Sequence, residues 1–212
     1  MCLITEKSLS KPIISFQFTR DALTVSIETE RLLILSYQEN DFENCVNLYG
    51  DRLITKYFDH GVPRSRTEVK ELIFEKTHKY FTRKHPYGLF SIFLKEKMLF
   101  IGQIDLLPME CPKTLEVGFI LRKEFHNQGF CLEAVKALIF DYVDEINNRL
   151  FDDDSSQVNK IVATVHPENF SSRKVLIKCG MSIEKFQERF GNPRLWYSLF
   201  LSPKTRGLLF YD

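Results

Sequence analysis

Glu116-Val117-Gly118-Phe119-Ile120-Leu121-Arg122-Lys123-Glu124-Phe125-His126-Asn127-Gln128-Gly129-Phe130-Cys131-Leu132-Glu133-Ala134 is the stretch on which the fold turns. Leu115, Val117, Phe119 and Leu121 alternate, which predicts a strand over Thr114–Leu121. Past Gly129 the period changes: Val135, Leu138, Ile139, Tyr142, Val143 and Ile146 make the apolar stripe of a long helix. A strand therefore enters a turn and the turn opens a helix. Free backbone N–H groups and the positive end of the helix dipole meet at Gly129, a natural place for an anion. An ordinary loop-to-helix turn has the same local sequence, so Gly129 alone does not choose. Gly118, inside the strand, marks a bulge, a close approach by a ligand, or a tight backbone crossing.

Upstream, residues 11–26 read as a hairpin, followed by the buried strand Arg31-Leu32-Leu33-Ile34-Leu35 within residues 27–36. Phe42, Cys45, Val46 and Tyr49 share one face of a short helix. Ser65 with Glu68 forms a capping-box pattern, opening a helix whose Val69, Leu72, Ile73, Lys76 and Tyr80 share a side. Gly88–Leu94 and Leu99–Leu107 pair through Lys95-Glu96-Lys97.

Downstream, Asp152-Asp153-Asp154-Ser155-Ser156 reads as a solvated loop. A strand over 159–165 follows, then a helix from Asn169 to Cys179 stopped by Gly180. Two strands near Ser182–Arg189 and Arg194–Leu201 close the chain. The order is mixed α/β, with antiparallel strands ahead of a central β–α–β unit.

The 212 residues suit one large domain with extensions at ~150 residues per domain. Nineteen Phe and 44% hydrophobic residues supply a core and exclude disorder as the main state. With 29 basic against 28 acidic side chains, the net charge of +1 argues against a general nucleic-acid binder. No apolar run approaches the ~20 residues of a membrane span, and the N-terminus lacks the pattern of a signal peptide. Cys2, Cys45, Cys111, Cys131 and Cys179 are odd in number and widely spaced, and no histidine stands at ligand distance from one. This predicts neither a disulfide scaffold nor a metal site, and fits a reduced, cytoplasmic protein.

A third segment carries further information: His166-Pro167-Glu168-Asn169-Phe170-Ser171-Ser172, a strand end running into a helix. Asn169 and Ser172 flank its first turn, where helix capping is itself a sufficient role. Taken with Thr29-Glu30-Arg31-Leu32, the Glu116–Ala134 stretch and Arg194-Leu195-Trp196-Tyr197-Ser198-Leu199, it makes an ordered set. That set resembles the GNAT superfamily of acetyl-CoA-dependent N-acetyltransferases, in particular the ribosomal-protein N-terminal acetyltransferase branch. The resemblance spans about residues 27–201, leaving 1–26 as an N-terminal extension and 202–212 as a tail. It implies a mixed, mostly antiparallel central sheet of about seven strands, splayed at the acetyl-CoA cleft, with helices on both faces.

The same resemblance implies acetyl-CoA as co-substrate and transfer of its acetyl group to a primary amine by direct attack. A protein N-terminal amine is the leading acceptor, and an aminoglycoside or polyamine is the alternative. By similarity, the backbone of Phe119, Ile120 and Leu121 pairs with pantetheine, and the N–H groups of Gln128, Gly129, Phe130 and Cys131 hold the pyrophosphate. Asn169 bonds the pantetheine arm. Ser172 is the candidate for protonating the departing thiolate, with a capping hydroxyl as its other reading. Glu116 is the candidate base through a water, with a salt-bridge partner as its other reading, and Asp105 is a second acid nearby. Three departures stand out: Asn127 where glycine is common, Cys131 beside the pyrophosphate, and Leu176 where many members carry a Tyr. They keep a non-catalytic acyl-CoA-binding or interaction module as a rival reading. A monomer or a homodimer is compatible with the sequence.

Overall fold

The computed structural model describes residues 11–77, 80–150 and 157–201. The acidic run 152–156, residues 1–10 and the tail 202–212 lie outside the described residues. Among the described residues nine strands form one sheet: β1 (Ile13–Phe18), β2 (Leu23–Glu28), β3 (Leu32–Ser36), β4 (Gly88–Leu94), β5 (Leu99–Pro108), β6 (Thr114–Leu121), β7 (Lys160–Val165), β8 (Ser182–Arg189) and β9 (Asn192–Phe200). Their order across the sheet is β1-β2-β3-β4-β5-β6-β7-β9-β8. Every neighbouring pair is antiparallel except β6 with β7. The expected count of about seven becomes nine because the N-terminal hairpin pairs onto β3 and continues the sheet. Leu23, Val25 and Ile27 of that hairpin are buried in the main core.

Helices cover both faces, and neighbouring strand residues show it by alternation. Phe90, Ile101 and Leu121 join the larger core under α4 (Phe130–Lys136) and α5 (Val143–Arg149). Their neighbours Leu89, Phe100 and Ile120 join a second core with α1 (Phe42–Gly50) and α3 (Arg66–Thr77). Ile101 and Ile104 reach the same core despite a spacing of three, because the β4–β5 register slips between Ile92↔Gly102 and Phe93↔Phe100. A shorter helix, α2 (Arg52–Thr55), is capped by the Asp51 carboxylate on the N–H groups of Leu53 and Ile54.

The capping box at Ser65 is present: Ser65 N–H donates to Glu68 Oε2 at 2.7 Å, and Glu68 N–H to Ser65 Oγ at 3.3 Å. The helix it opens ends at Thr77, so Tyr80 lies outside it. The long helix is not uniform either. A π-helical stretch, Ala137–Tyr142, separates α4 from α5, and the Tyr142 hydroxyl donates to the Pro86 carbonyl at 2.8 Å. α6 (Phe170–Lys178) is capped by Asn169 and followed by Gly180 at φ 76. Phe190 and Gly191, at φ 58 and 65, make the tight turn joining β8 to β9.

One property of this sheet positions the site. β6 and β7 pair only over Thr114↔Lys160, Leu115↔Ile161 and Glu116↔Val162, and beyond Glu116 the two strands diverge. From Val117 to Leu121 the edge of β6 that faces β7 has no strand partner among the described residues, so its main-chain groups are left for something else to pair with.

Candidate active site

A cleft of about 540 Å³ lies where β6 and β7 part. Its floor includes Glu116, Gly118 and Phe119 of β6, with Thr164 of β7 and Ser172 of α6 facing them. Gly118 produces no bulge against β5: the register runs without a slip from Gly102↔Leu121 to Pro108↔Leu115. Its missing side chain has another reason. Asp105 is its cross-strand partner, and the Asp105 carboxylate occupies the space a β-carbon would need.

Charged groups in the cleft come in pairs. Both oxygens of Glu116 accept from Arg189, at 2.5 Å to Nη1 and 3.1 Å to Nη2, and Oε1 also accepts from Thr164 Oγ1 at 3.2 Å. The Asp105 carboxylate, 5% exposed, is ion-paired to Lys76. Burial alone would lower the Lys76 ammonium, but the Asp105 charge and hydrogen bond raise it overall. Asp59 pairs with Arg64 at 2.6 Å. Arg194 is 3% exposed and has a different arrangement: Nη1 donates to the Tyr57 carbonyl at 2.9 Å and Nη2 to the Asp59 carbonyl, while Nε has no hydrogen-bond partner among the described residues. Burial lowers its pKa. Arg194 thereby pins the Tyr57–Asp59 loop over the cleft from the final strand.

At α6, the Asn169 Oδ1 caps the helix by accepting from Ser172 N–H at 3.1 Å. The Asn169 amide nitrogen and the Ser172 hydroxyl make no hydrogen bond among the described residues, and both residues line the cleft. Leu176 is buried in the core at the end of the cleft.

The turn before α4 holds two residues in the left-handed region, Asn127 at φ 59 and Gly129 at φ 82. Asparagine is among the few side chains that tolerate this conformation, so Asn127 keeps the geometry that glycine provides. Cys131 follows the turn at the start of α4. Its side chain packs against the core, and burial, with a contribution from Cys179, raises its thiol pKa. Cys179 is pushed up to about 12, chiefly by burial, so neither thiol is an available nucleophile.

The structure brings Glu116, Ser172 and Asn169 around one cleft, with Phe119 on its floor. Gln128, Gly129, Phe130 and Cys131 lie in and just after the turn before α4. The partners of these residues were not visible in the sequence: Arg189 for Glu116, Lys76 for Asp105, and Arg194 for the Tyr57–Asp59 loop. Arg189 is 73 residues from Glu116, and Lys76 is 29 from Asp105. No local spacing signals contacts of that range. Among the described residues no cluster of His, Cys, Asp or Glu is arranged to hold a metal, and no helix is long and apolar enough to cross a membrane.

This splayed mixed sheet has the fold of a solved GNAT-family acetyltransferase from Bacillus anthracis, at TM-score 0.65 and 21% identity, covering 82% of this chain and 98% of that one. Residues 31–182 match the acetyltransferase (GNAT) domain model, and the chain belongs to that family of N-acetyltransferases. It is similar to an uncharacterized N-acetyltransferase, YnaD, of Bacillus subtilis (strain 168), with 27% identity over 163 residues, 76% of this chain and 84% of that one. The fold is shared with RimL, a ribosomal L7/L12 α-N-protein acetyltransferase, at TM-score 0.64 and 15% identity, covering 88% of this chain and 100% of that one. It is also shared with spermidine N-acetyltransferase of Vibrio cholerae, solved in complex with CoA and spermine, at TM-score 0.61 and 19% identity, covering 81% and 96%.

Proposed function

We propose that the chain transfers an acetyl group from acetyl-CoA to a protein N-terminal α-amine. The observation that carries the donor is the unpaired edge of β6 past Glu116, ending near a turn with left-handed Asn127 and Gly129. The main chain of Phe119, Ile120 and Leu121 pairs with the pantetheine arm as an added strand, and an N–H there polarises the thioester carbonyl. The N–H groups of Gln128 to Cys131 receive the diphosphate, and the Asn169 amide nitrogen receives the arm.

Charge favours the acceptor. Asp59, Asp105 and Glu116 each face a cation, Arg64, Lys76 and Arg189, and with Arg194 these four cations nearly balance the five lining acids, which include Glu68 and Glu71, so the cleft is close to neutral rather than built for a polycation. An α-amine with pKa ~8 reaches the neutral, nucleophilic form far more readily than a lysine at ~10.4. Glu116 Oε2 accepts one bond from Arg189 and retains acceptor capacity for a water, which takes the amine's proton and gives one to the Glu116 carboxylate. The Ser172 hydroxyl, without a hydrogen-bond partner among the described residues, passes a proton to the departing thiolate and takes one in turn from water in the open cleft. Holding the two reactants in line supplies much of the acceleration.

The test is calorimetric titration with acetyl-CoA, followed by thiol release against N-terminal peptides, polyamines and aminoglycosides. The expected result is acetyl-CoA binding and thiol release with the peptides; release with polyamines alone would replace the acceptor. Gly129→Trp, at φ 82 and beside the diphosphate, should abolish acetyl-CoA binding. Unchanged affinity would remove the diphosphate assignment.

A further inference from the structure

Thr29, Arg31 and Glu133 form a cluster that joins the turn between β2 and β3 to the start of α4, across about a hundred residues of chain. The Arg31 guanidinium donates through Nε to Glu133 Oε2 at 2.6 Å, and Nη2 lies 2.6 Å from the same oxygen. Nη1 donates to the Gln128 carbonyl at 2.9 Å, and the guanidinium stacks over the Phe130 ring, 4.4 Å from its centroid. Glu133 Oε1 accepts from Thr29 Oγ1 at 2.6 Å and from Arg31 N–H at 3.0 Å. The Glu133 side chain is only 9% exposed, so its charge is held by these partners rather than by water.

The consequence lies in one peptide plane. Gln128 C=O and Gly129 N–H belong to a single trans peptide and point in opposite directions. With the carbonyl tied to Arg31, the Gly129 N–H is turned away from Arg31. Left-handed Asn127 and Gly129 flank this region, and glycine rotates its adjoining peptides at little steric cost, so the turn by itself does not choose an orientation. A β-carbon on Gly129 would lie 3.3 Å from Arg31 Nη2, which places the guanidinium directly against the turn.

We infer that Arg31, held by Glu133 and Thr29, is a positioning residue that locks the Gln128–Gly129 peptide so that the turn's N–H faces the diphosphate of the acetyl donor. This rests on reading the turn as the CoA diphosphate site. A fork-shaped guanidinium suits this best, because one lysine ammonium cannot set two donors on Glu133 Oε2 and a third on the Gln128 carbonyl while stacking on Phe130.

The test compares two ligands in the full chain: CoA by calorimetry, and pantetheine, which has the arm but no diphosphate, by ligand-observed NMR. Arg31→Ala should raise the Kd for CoA by roughly 10- to 100-fold, the loss of one or two charge-assisted hydrogen bonds, and leave that for pantetheine unchanged. Arg31→Lys should give an intermediate loss for CoA. If Arg31→Ala does not fold, the Arg31→Lys comparison decides the matter alone. Equal weakening of both ligands would make the cluster a brace for the fold, and no change in CoA affinity would remove its role; either overturns the inference. The underlying reading fails separately, if the parent chain does not bind CoA or if Gly129→Trp binds it normally.

Discussion

The Asp105 carboxylate lies over Gly118: the two are paired across β5 and β6, and a β-carbon on Gly118 would sit 2.6 Å from Asp105 Oδ1. Asp105 cannot swing aside freely, because it is 5% exposed and ion-paired to Lys76. Gly118→Ala should therefore displace the pair into the cleft. The overpacking should cost about 1–3 kcal/mol, seen as a lowered Tm in calorimetry. Activity should fall about tenfold or more, since the displaced groups occupy the space of the reactants.

Glu116→Gln should slow acetyl transfer mainly at low pH. Below an amine pKa of ~8 the acceptor is protonated and needs a base, whereas at higher pH a growing fraction is already neutral. The rate profile between pH 6 and 9, with Tm measured in parallel, checks this. A profile parallel to that of the parent would leave Glu116 only as the partner that orients Arg189.

Arg194→Leu should release the Tyr57–Asp59 loop, whose two carbonyls the guanidinium holds. The expected outcome is a rise of roughly tenfold in KM for the acceptor amine, with acetyl-CoA affinity unchanged. Arg194→Lys should recover little, as an ammonium lacks the fork that spans both carbonyls.

Asp141, in the π-helical stretch and 6% exposed, has its carboxyl pushed up to about 6 from 3.8 by burial. The charges of Asp144 and Glu145 raise it further and that of Lys11 opposes them. Between pH 4 and 6 the folded chain holds a proton that the unfolded chain releases, so stability falls as pH rises through that window. Above pH 6 the full penalty, roughly 2–3 kcal/mol, is present. Asp141→Asn should raise the Tm at pH 7.5 and flatten the decline between pH 4 and 6 in calorimetric scans.

The elements were legible where a local rule governs them. Alternation in Leu115 to Leu121, the helical stripe through Ile146, the Ser65–Glu68 capping box and the stop at Gly180 all depend on residues within a few positions of one another. The π-helical stretch at Ala137–Tyr142 was not legible, because its side chains keep an apolar stripe that an α-helix would also show. Gly118 carried a correct signal of close approach, but the approaching group is Asp105 of the neighbouring strand.

The sequence alone determined the order of strands and helices, the place of the turn at Gly129 ahead of a long helix, and the motif set that marks the family, because each is written in consecutive residues. Tertiary structure alone decided which charges meet: Glu116 with Arg189, Asp105 with Lys76, and Arg31 with Glu133 and the Gln128 carbonyl. Those pairings depend on where β6 and β7 part and on which helix lies over which strand, and ion pairs between residues 29 to 102 positions apart leave no local pattern.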